Sequence, residues 1–107
     1  GWACAEAFAA AGAKLIICGR REERLQALQK KLKNTKIHAE VLDVSRRNDV
    51  LAFVKNLPAA FQKIDVLVNN AGGALGLEPA WDANLDDWDQ MVDANIKGLM
   101  YCTRAVL

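Results

Sequence analysis

The chain predicts an α/β fold organised around a parallel sheet, and three observations carry that reading. Segments of helical period alternate with short apolar, β-branched runs along the whole sequence. No internal repeat or low-complexity tract interrupts the alternation. The composition is about half hydrophobic and a quarter charged over 107 residues, which suits one small globular domain and not a disordered segment. Strands that alternate with helices join in parallel through right-handed crossovers.

The elements follow in order. Trp2 to Ala11 is alanine-rich and stopped by Gly12, a helix with its C-terminal glycine. Lys14 to Cys18, "KLIIC", is a short apolar strand. From Arg21 to about Lys33 a helix places Leu25, Leu28 and Leu32 on one face and charges elsewhere. Lys36 to Val44, "KIHAEVLDV", is a second strand. Ser45 is the expected N-cap of a helix with Val50, Phe53, Val54 and Leu57 at helical spacing, and Pro58 lies just past its end. Asp65 to Val68 is a third, apolar strand. A loop from Gly73 to about Ala83 contains Gly76 and Pro79. Asn84, with Asp87 three residues on, resembles a capping pair for a last helix reaching Leu107.

Several functions are excluded early. The formal net charge is +1, so no global field steers the chain to nucleic acid or an anionic membrane. No apolar run approaches the ~18 residues needed to cross a bilayer. Cys4, Cys18 and Cys102 are odd in number and form no CxxC pair, so they read as reduced core thiols of a cytoplasmic, reducing compartment. No grouping of cysteine, histidine and carboxylate suggests a metal. The chain opens without methionine on what already reads as the inside of a helix, as a piece of a longer protein does.

Chemistry concentrates at strand ends. "DVLVNNAGG" starts as a strand built for burial and finishes in two amides, Asn69 and Asn70, followed by Ala71, Gly72 and Gly73. Polar groups at the edge of a core cost free energy unless bonded, and small residues let a flat ligand approach the backbone. In open α/β sheets, ligands bind beyond the carboxyl ends of the strands. The other reading of this stretch is an ordinary turn rich in Asn and Gly. After the first strand stands Gly19-Arg20-Arg21, where a dinucleotide fold carries an acid for NAD or an arginine for the 2′-phosphate of NADP. If Gly1 closes a glycine loop, the spacing fits, and a guanidinium offers paired donors to phosphate. Arginines are poorly suited to a helix start, which suggests an anion nearby. Asp43 and Val44 end the next strand, where a carboxylate can accept from an adenine amino group while valine packs on the ring. In the last helix the apolar stripe Trp88, Met91/Val92, Asn95, Leu99, Cys102, Val106 has Asn95 as its polar member. Gly98, one turn on, costs ~1 kcal/mol relative to alanine, so close packing or a local irregularity is expected there. His38 has no partner by sequence and reads as structural, and Trp81 reads equally as pocket wall or plain packing.

Together, "GxxxxxxFAxxGAKLIICGRREERL", "LDV", "VLVNNAG" and "MVDANIKG" resemble the classical short-chain dehydrogenase/reductase family across essentially the whole chain. "GRREERLQAL", "NNAGGALGLEPA" and "NIKGLMYCTRAVL" more closely resemble its NADP-dependent serine and 3-hydroxy-acid dehydrogenase branch. The resemblance implies a Rossmann-like doubly wound parallel sheet and NADP as cofactor. It implies that Arg20 and Arg21 meet the 2′-phosphate and adenosine side, and that Asp43 and Val44 hold the adenine. Asn70, Ala71 and Gly72 would line the ribose and nicotinamide side, with Asn69 stabilising the sheet. Gly1 matches the final glycine of the family's TGxxxGxG loop. Asn95 matches the catalytic asparagine of an Asn-Ser-Tyr-Lys tetrad, which in this family helps position a water in a proton relay. The substrate implied is a small alcohol or carbonyl compound of the 3-hydroxy-acid or serine-like kind. The last helix implies a homo-oligomer, dimer or tetramer.

Parts of the family pattern are absent between Gly1 and Leu107. These are the first strand, most of the glycine loop, the serine, and the YxxxK that supplies the general acid/base. Residues 1–107 are therefore expected to form part of an NAD(P)-binding domain whose full size is about 200–250 residues. In the family's strand order the missing strand lies between those at Lys14 and Asp65. The isolated chain is expected to be inactive and to bind NADP poorly. Two alternatives stay open, a non-catalytic nucleotide-sensing relative and a flavodoxin-like interaction module.

Overall fold

A computed structural model describes residues 1–107. Helix α1 (Trp2–Ala10) leads through a glycine turn into strand β1 (Leu15–Gly19). Gly12 has φ +85°, and the Gly12 and Ala13 N–H groups donate back to Ala9 and Phe8 carbonyls at 3.0 and 3.1 Å. A left-handed residue is needed to close the helix in this way, and glycine adopts it without steric cost. Helix α2 (Glu22–Lys31) then crosses to strand β2 (Ile37–Val41), which lies parallel to β1 in the register Leu15 to Ile37 through Gly19 to Val41. Helix α3 (Arg47–Lys55) follows, with a 3₁₀ turn at Ala59–Phe61. The remainder holds a second 3₁₀ turn (Ala80–Asp82), helix α4 (Leu85–Val92), a π-helical turn (Asp93–Gly98) and helix α5 (Leu99–Val106).

Strand alternation sorts the core into two layers. Leu15 of β1 packs with Ala5 of α1 and Leu28 of α2, joined by Ile17 and Ile37. On the opposite face Leu42, Val44 and Val50 meet Phe53, Tyr101, Cys102 and Ala105 from α3 and α5. Helices thus cover both faces of a parallel pair, the doubly wound arrangement expected from the alternating pattern. His38 points into the second layer, its ring stacked near Phe53 and Phe61 at centroid distances of 6.2 and 5.8 Å. No helix is long and apolar enough to cross a membrane.

Three expectations need correction. The apolar run Asp65 to Val68 is not a strand: the sheet has two strands, and this backbone makes no ladder bonds. A strand exists only against a partner, and neither β1 nor this run has one on the side where they would face each other. Ser45 does not cap α3. Its hydroxyl and N–H both donate to Asp43 Oδ1, at 2.7 and 3.0 Å, and Arg46 takes the N-cap position. The last helix runs on from Leu85 to Val106 as expected, and the irregularity expected near Gly98 is a π turn over Asp93–Gly98. Two of the three cysteines are not core residues: Cys4 and Cys18 are exposed, while Cys102 is half-buried and packs against the second layer. Cys18 nevertheless has a desolvated sulfur, and burial, with Cys102 and Glu40 nearby, pushes its thiol up to about 11.

Candidate functional site

The C-terminal ends of β1 and β2 lie side by side, tied one residue beyond the ladder by Leu42 N–H donating to Gly19 O at 2.9 Å. That bond sets Arg20 near Asp43, with Arg21 following at the start of α2. Asp43 begins a tight turn in which Arg46 N–H returns to its carbonyl at 3.1 Å. The Ser45 hydroxyl above all holds the Asp43 carboxyl below the usual aspartate range, and the charges of Arg20 and Arg46 act the same way. Arg21 occupies the N-cap of α2, where no side chain caps the first-turn N–H groups. The only ion pairs within 4.0 Å are Lys31–Glu6, His38–Glu40 and Lys97–Asp93, so neither Arg20 nor Arg21 is neutralised by a carboxylate.

Val44 differs from the expectation that its side chain packs on an adenine ring. It is buried, with the α3 and α5 residues of the second layer around it. A Cβ built on Gly98 would lie 2.6 Å from Val44 Cγ2 and 3.2 Å from its carbonyl oxygen. The side chain therefore belongs to the core. The Val44 N–H has no backbone acceptor in the chain and remains open at the rim.

From Gly98 the helix leads back to Asn95. Both ends of the Asn95 amide are used on one residue: Gly73 N–H donates to Oδ1 and Nδ2 donates to Gly73 O, each at 2.8 Å. Gly72 lies so close that a Cβ there would sit 2.7 Å from Asn95 Oδ1. This pairing fixes the loop after Ala71 to the π turn. A π turn shifts the backbone ladder by a residue and is often found at functional positions. Asn95 thus touches the loop through its side chain.

Asn70 completes the path, since a Cβ on Gly1 would lie 3.0 Å from Asn70 Nδ2. The N-terminus of α1 therefore stands against the end of the Asn69–Gly73 segment. Asn69, expected to stabilise the sheet, instead donates from Nδ2 to Thr103 Oγ1 of α5 at 3.2 Å, because no neighbouring strand accepts it. Thr103 and Met91, whose sulfur accepts from Leu75 N–H at 3.4 Å, were not legible as loop anchors from the sequence. Both lie on the helix side facing the loop, a partnership that spacing alone does not reveal.

All eight expected site residues lie along one path, from Arg20 and Arg21 through Asp43 and Val44 to Asn95, then Gly72, Ala71 and Asn70. It is an open rim and not an enclosed pocket. Two concavities adjoin it, one of ≈ 470 Å³ bounded by Arg46 to Asp49 and Tyr101. Another, of ≈ 140 Å³, lies between the Leu75–Glu78 loop and the start of α4.

Comparison with known proteins finds relatives along the whole chain. The family model for short chain dehydrogenase matches residues 1–107. The NADP-dependent 3-hydroxy acid dehydrogenase YdfG of Salmonella typhi is 52% identical over 103 residues, covering 96% of this chain and 41% of that protein. Serine dehydrogenase from Escherichia coli superposes with a TM-score of 0.91 at 45% identity, over 99% of this chain and 50% of that one. A closed form of serine dehydrogenase complexed with NADP+ gives 0.90 at 48% identity, over 95% and 41%. The chain spans about two-fifths to one-half of the length of these relatives. With the family model matching all 107 residues and the fold in agreement, this chain belongs to the short-chain dehydrogenase family.

Proposed function

We propose that residues 1–107 form the part of an NADP-binding domain that holds the adenosine side of the cofactor and one wall of the reaction centre. The protein carrying them then oxidises or reduces a small hydroxyl or carbonyl compound, with 3-hydroxy acids and serine-like molecules as the substrate class. The observation that carries this reading is the continuous path of rim residues, with two unneutralised arginines at one end and the Asn95–Gly73 pairing at the other. The named relatives support the cofactor and the substrate class.

The residues present fit the group. Arg20 and Arg21 offer planar paired donors for a 2′-phosphate. At Asp43 the oxygen not used by Ser45 accepts, while the open Val44 N–H donates, a complementary pair for the amino group and ring nitrogen of adenine. Ala71 and Gly72 leave the backbone bare, and Asn70 places an amide beside the start of α1, whose N–H groups favour an anion. NADP supplies or takes up the hydride when bound. Asn95 holds the loop at Gly73 in place and presents its backbone toward the reacting side. The exposed apolar residues of α4 and α5, including Trp88, Leu99 and Met100, are the proposed contact surface of a homo-oligomer.

The test is steady-state turnover by the full-length protein with serine and a panel of 3-hydroxy acids, using NADP+ and NAD+ in parallel. The reading expects turnover with NADP+ at a kcat/KM about tenfold or more above NAD+, the size of a charge-assisted contact. Absence of cofactor reduction across the panel, or equal use of the two cofactors, would overturn it.

A further inference from the structure

The sequence carries a second arginine pair, Arg46-Arg47, at the start of α3, and the cofactor reading leaves it unused. Its placement is specific. The Asp43 turn returns Arg46 N–H to the Asp43 carbonyl at 3.1 Å, and the Leu42–Gly19 bond holds that turn against the strand end leading into Arg20. Arg46 is exposed and has no carboxylate within 4.0 Å. It borders the open ≈ 470 Å³ concavity with Arg47, Asn48, Asp49 and Tyr101, so its guanidinium has room for a partner. Arg20 and Arg46 are also the two cations whose charges bear on Asp43.

Asp43 poses an electrostatic problem for a phosphorylated nucleotide. A carboxylate that accepts from adenine stands close to the ribose, where it repels a 2′-phosphate but not a 2′-hydroxyl. A second cation beside Asp43 removes that penalty and adds attraction for the phosphate. We infer that Arg46, set beside Asp43 together with Arg20, is a second cationic reader of the nucleotide's 2′-phosphate and a determinant of NADP-over-NAD preference. This inference rests on the NADP reading and assigns a residue that reading does not require.

The experiment is equilibrium binding of NADP+ and NAD+ to the full-length protein by titration calorimetry. Arg46→Gln is expected to raise the Kd for NADP+ about tenfold and leave that for NAD+ within about twofold, while Arg46→Lys keeps most of the preference. Lys55→Gln, removing the same charge from the far end of α3, is expected to change neither. Three results overturn the inference: an unchanged NADP+ affinity in Arg46→Gln, equal weakening of both cofactors, or the same loss in Lys55→Gln. If Arg20→Gln weakens NADP+ while Arg46→Gln does not, the inference fails and the NADP reading stands. If the unaltered protein binds NADP+ and NAD+ equally, the NADP reading itself fails.

Discussion

Asp43 shows how a single residue can be read correctly in place and wrongly in partnership. Its position at the sheet rim was legible, because "LDV" ends an apolar run. Its capture of Ser45 was not, since Ser45 has two plausible uses and only the turn geometry chooses between them. The consequence is pH dependence. The folded pKa of Asp43 is depressed, so the carboxylate contributes stability above the ordinary aspartate range, lost as pH falls through the folded value, below about 4. Ser45→Ala removes the main cause of that depression. It is expected to cost about 1 kcal/mol at neutral pH and to move the acid-unfolding midpoint of the full-length protein upward. An unchanged midpoint, followed by circular dichroism, would count against this account of Asp43. Gly98 gives a second test at this scale. Alanine there gains ~1 kcal/mol of helix propensity, but its Cβ meets Val44 Cγ2 at 2.6 Å and backbone atoms at 3.2 and 3.3 Å that cannot swing aside. Overpacking costs about 1–3 kcal/mol and wins. Gly98→Ala should lower the urea midpoint of the full-length protein, and a raised midpoint would contradict the packing argument.

At the scale of elements, local pattern and long-range pairing separate cleanly. Helices α1, α2 and α3 were legible because their apolar faces and stop signals are contained within each segment, and the observed ends agree within a few residues. Asp65 to Val68 has the composition of a strand, but pairing is supplied by a neighbour and no local property provides one. The last helix falls between these cases. Gly98 signalled an irregularity, whereas the Asn95–Gly73 contact that lies within the six-residue π turn is made across 22 positions and has no local signal. That contact predicts an asymmetry between two substitutions. Asn95→Asp keeps an acceptor for Gly73 N–H but loses the donor to Gly73 O, while Asn95→Leu loses both. Loop protection in the full-length protein, read by hydrogen exchange at Gly73, is expected to fall several-fold more in Asn95→Leu than in Asn95→Asp. Equal protection in the two variants would show that the side chain does not hold the loop.

For the whole molecule, the packing is thin. Nine of 107 residues are buried, and the radius of gyration is 15.3 Å against about 13 Å for a compact domain of this size. Val66 and Val68 of the unpaired segment and Trp88, Leu99 and Met100 of the last helices remain open to solvent, as does one edge of β1. An unpaired edge beside apolar surface promotes association. The 107-residue chain alone is therefore expected to elute as self-associated species in size-exclusion chromatography with light scattering at micromolar concentration. A stable, NADP-binding monomer would contradict this view of the sheet. The parallel fold class was legible because alternation extends along the entire chain. The thin core was not, because burial depends on which surfaces meet and not on how many apolar residues are present.

The central claim is that paired guanidinium groups beside Asp43 select the phosphorylated dinucleotide. Its most direct test is the ratio of NADP+ to NAD+ dissociation constants for the full-length protein against its Arg20→Gln/Arg21→Gln variant. A ratio that favours NADP+ about tenfold or more in the unaltered protein, falling several-fold in the variant with NAD+ binding preserved, is the expected result. A preference for NADP+ that is undiminished by loss of both arginines would contradict the account.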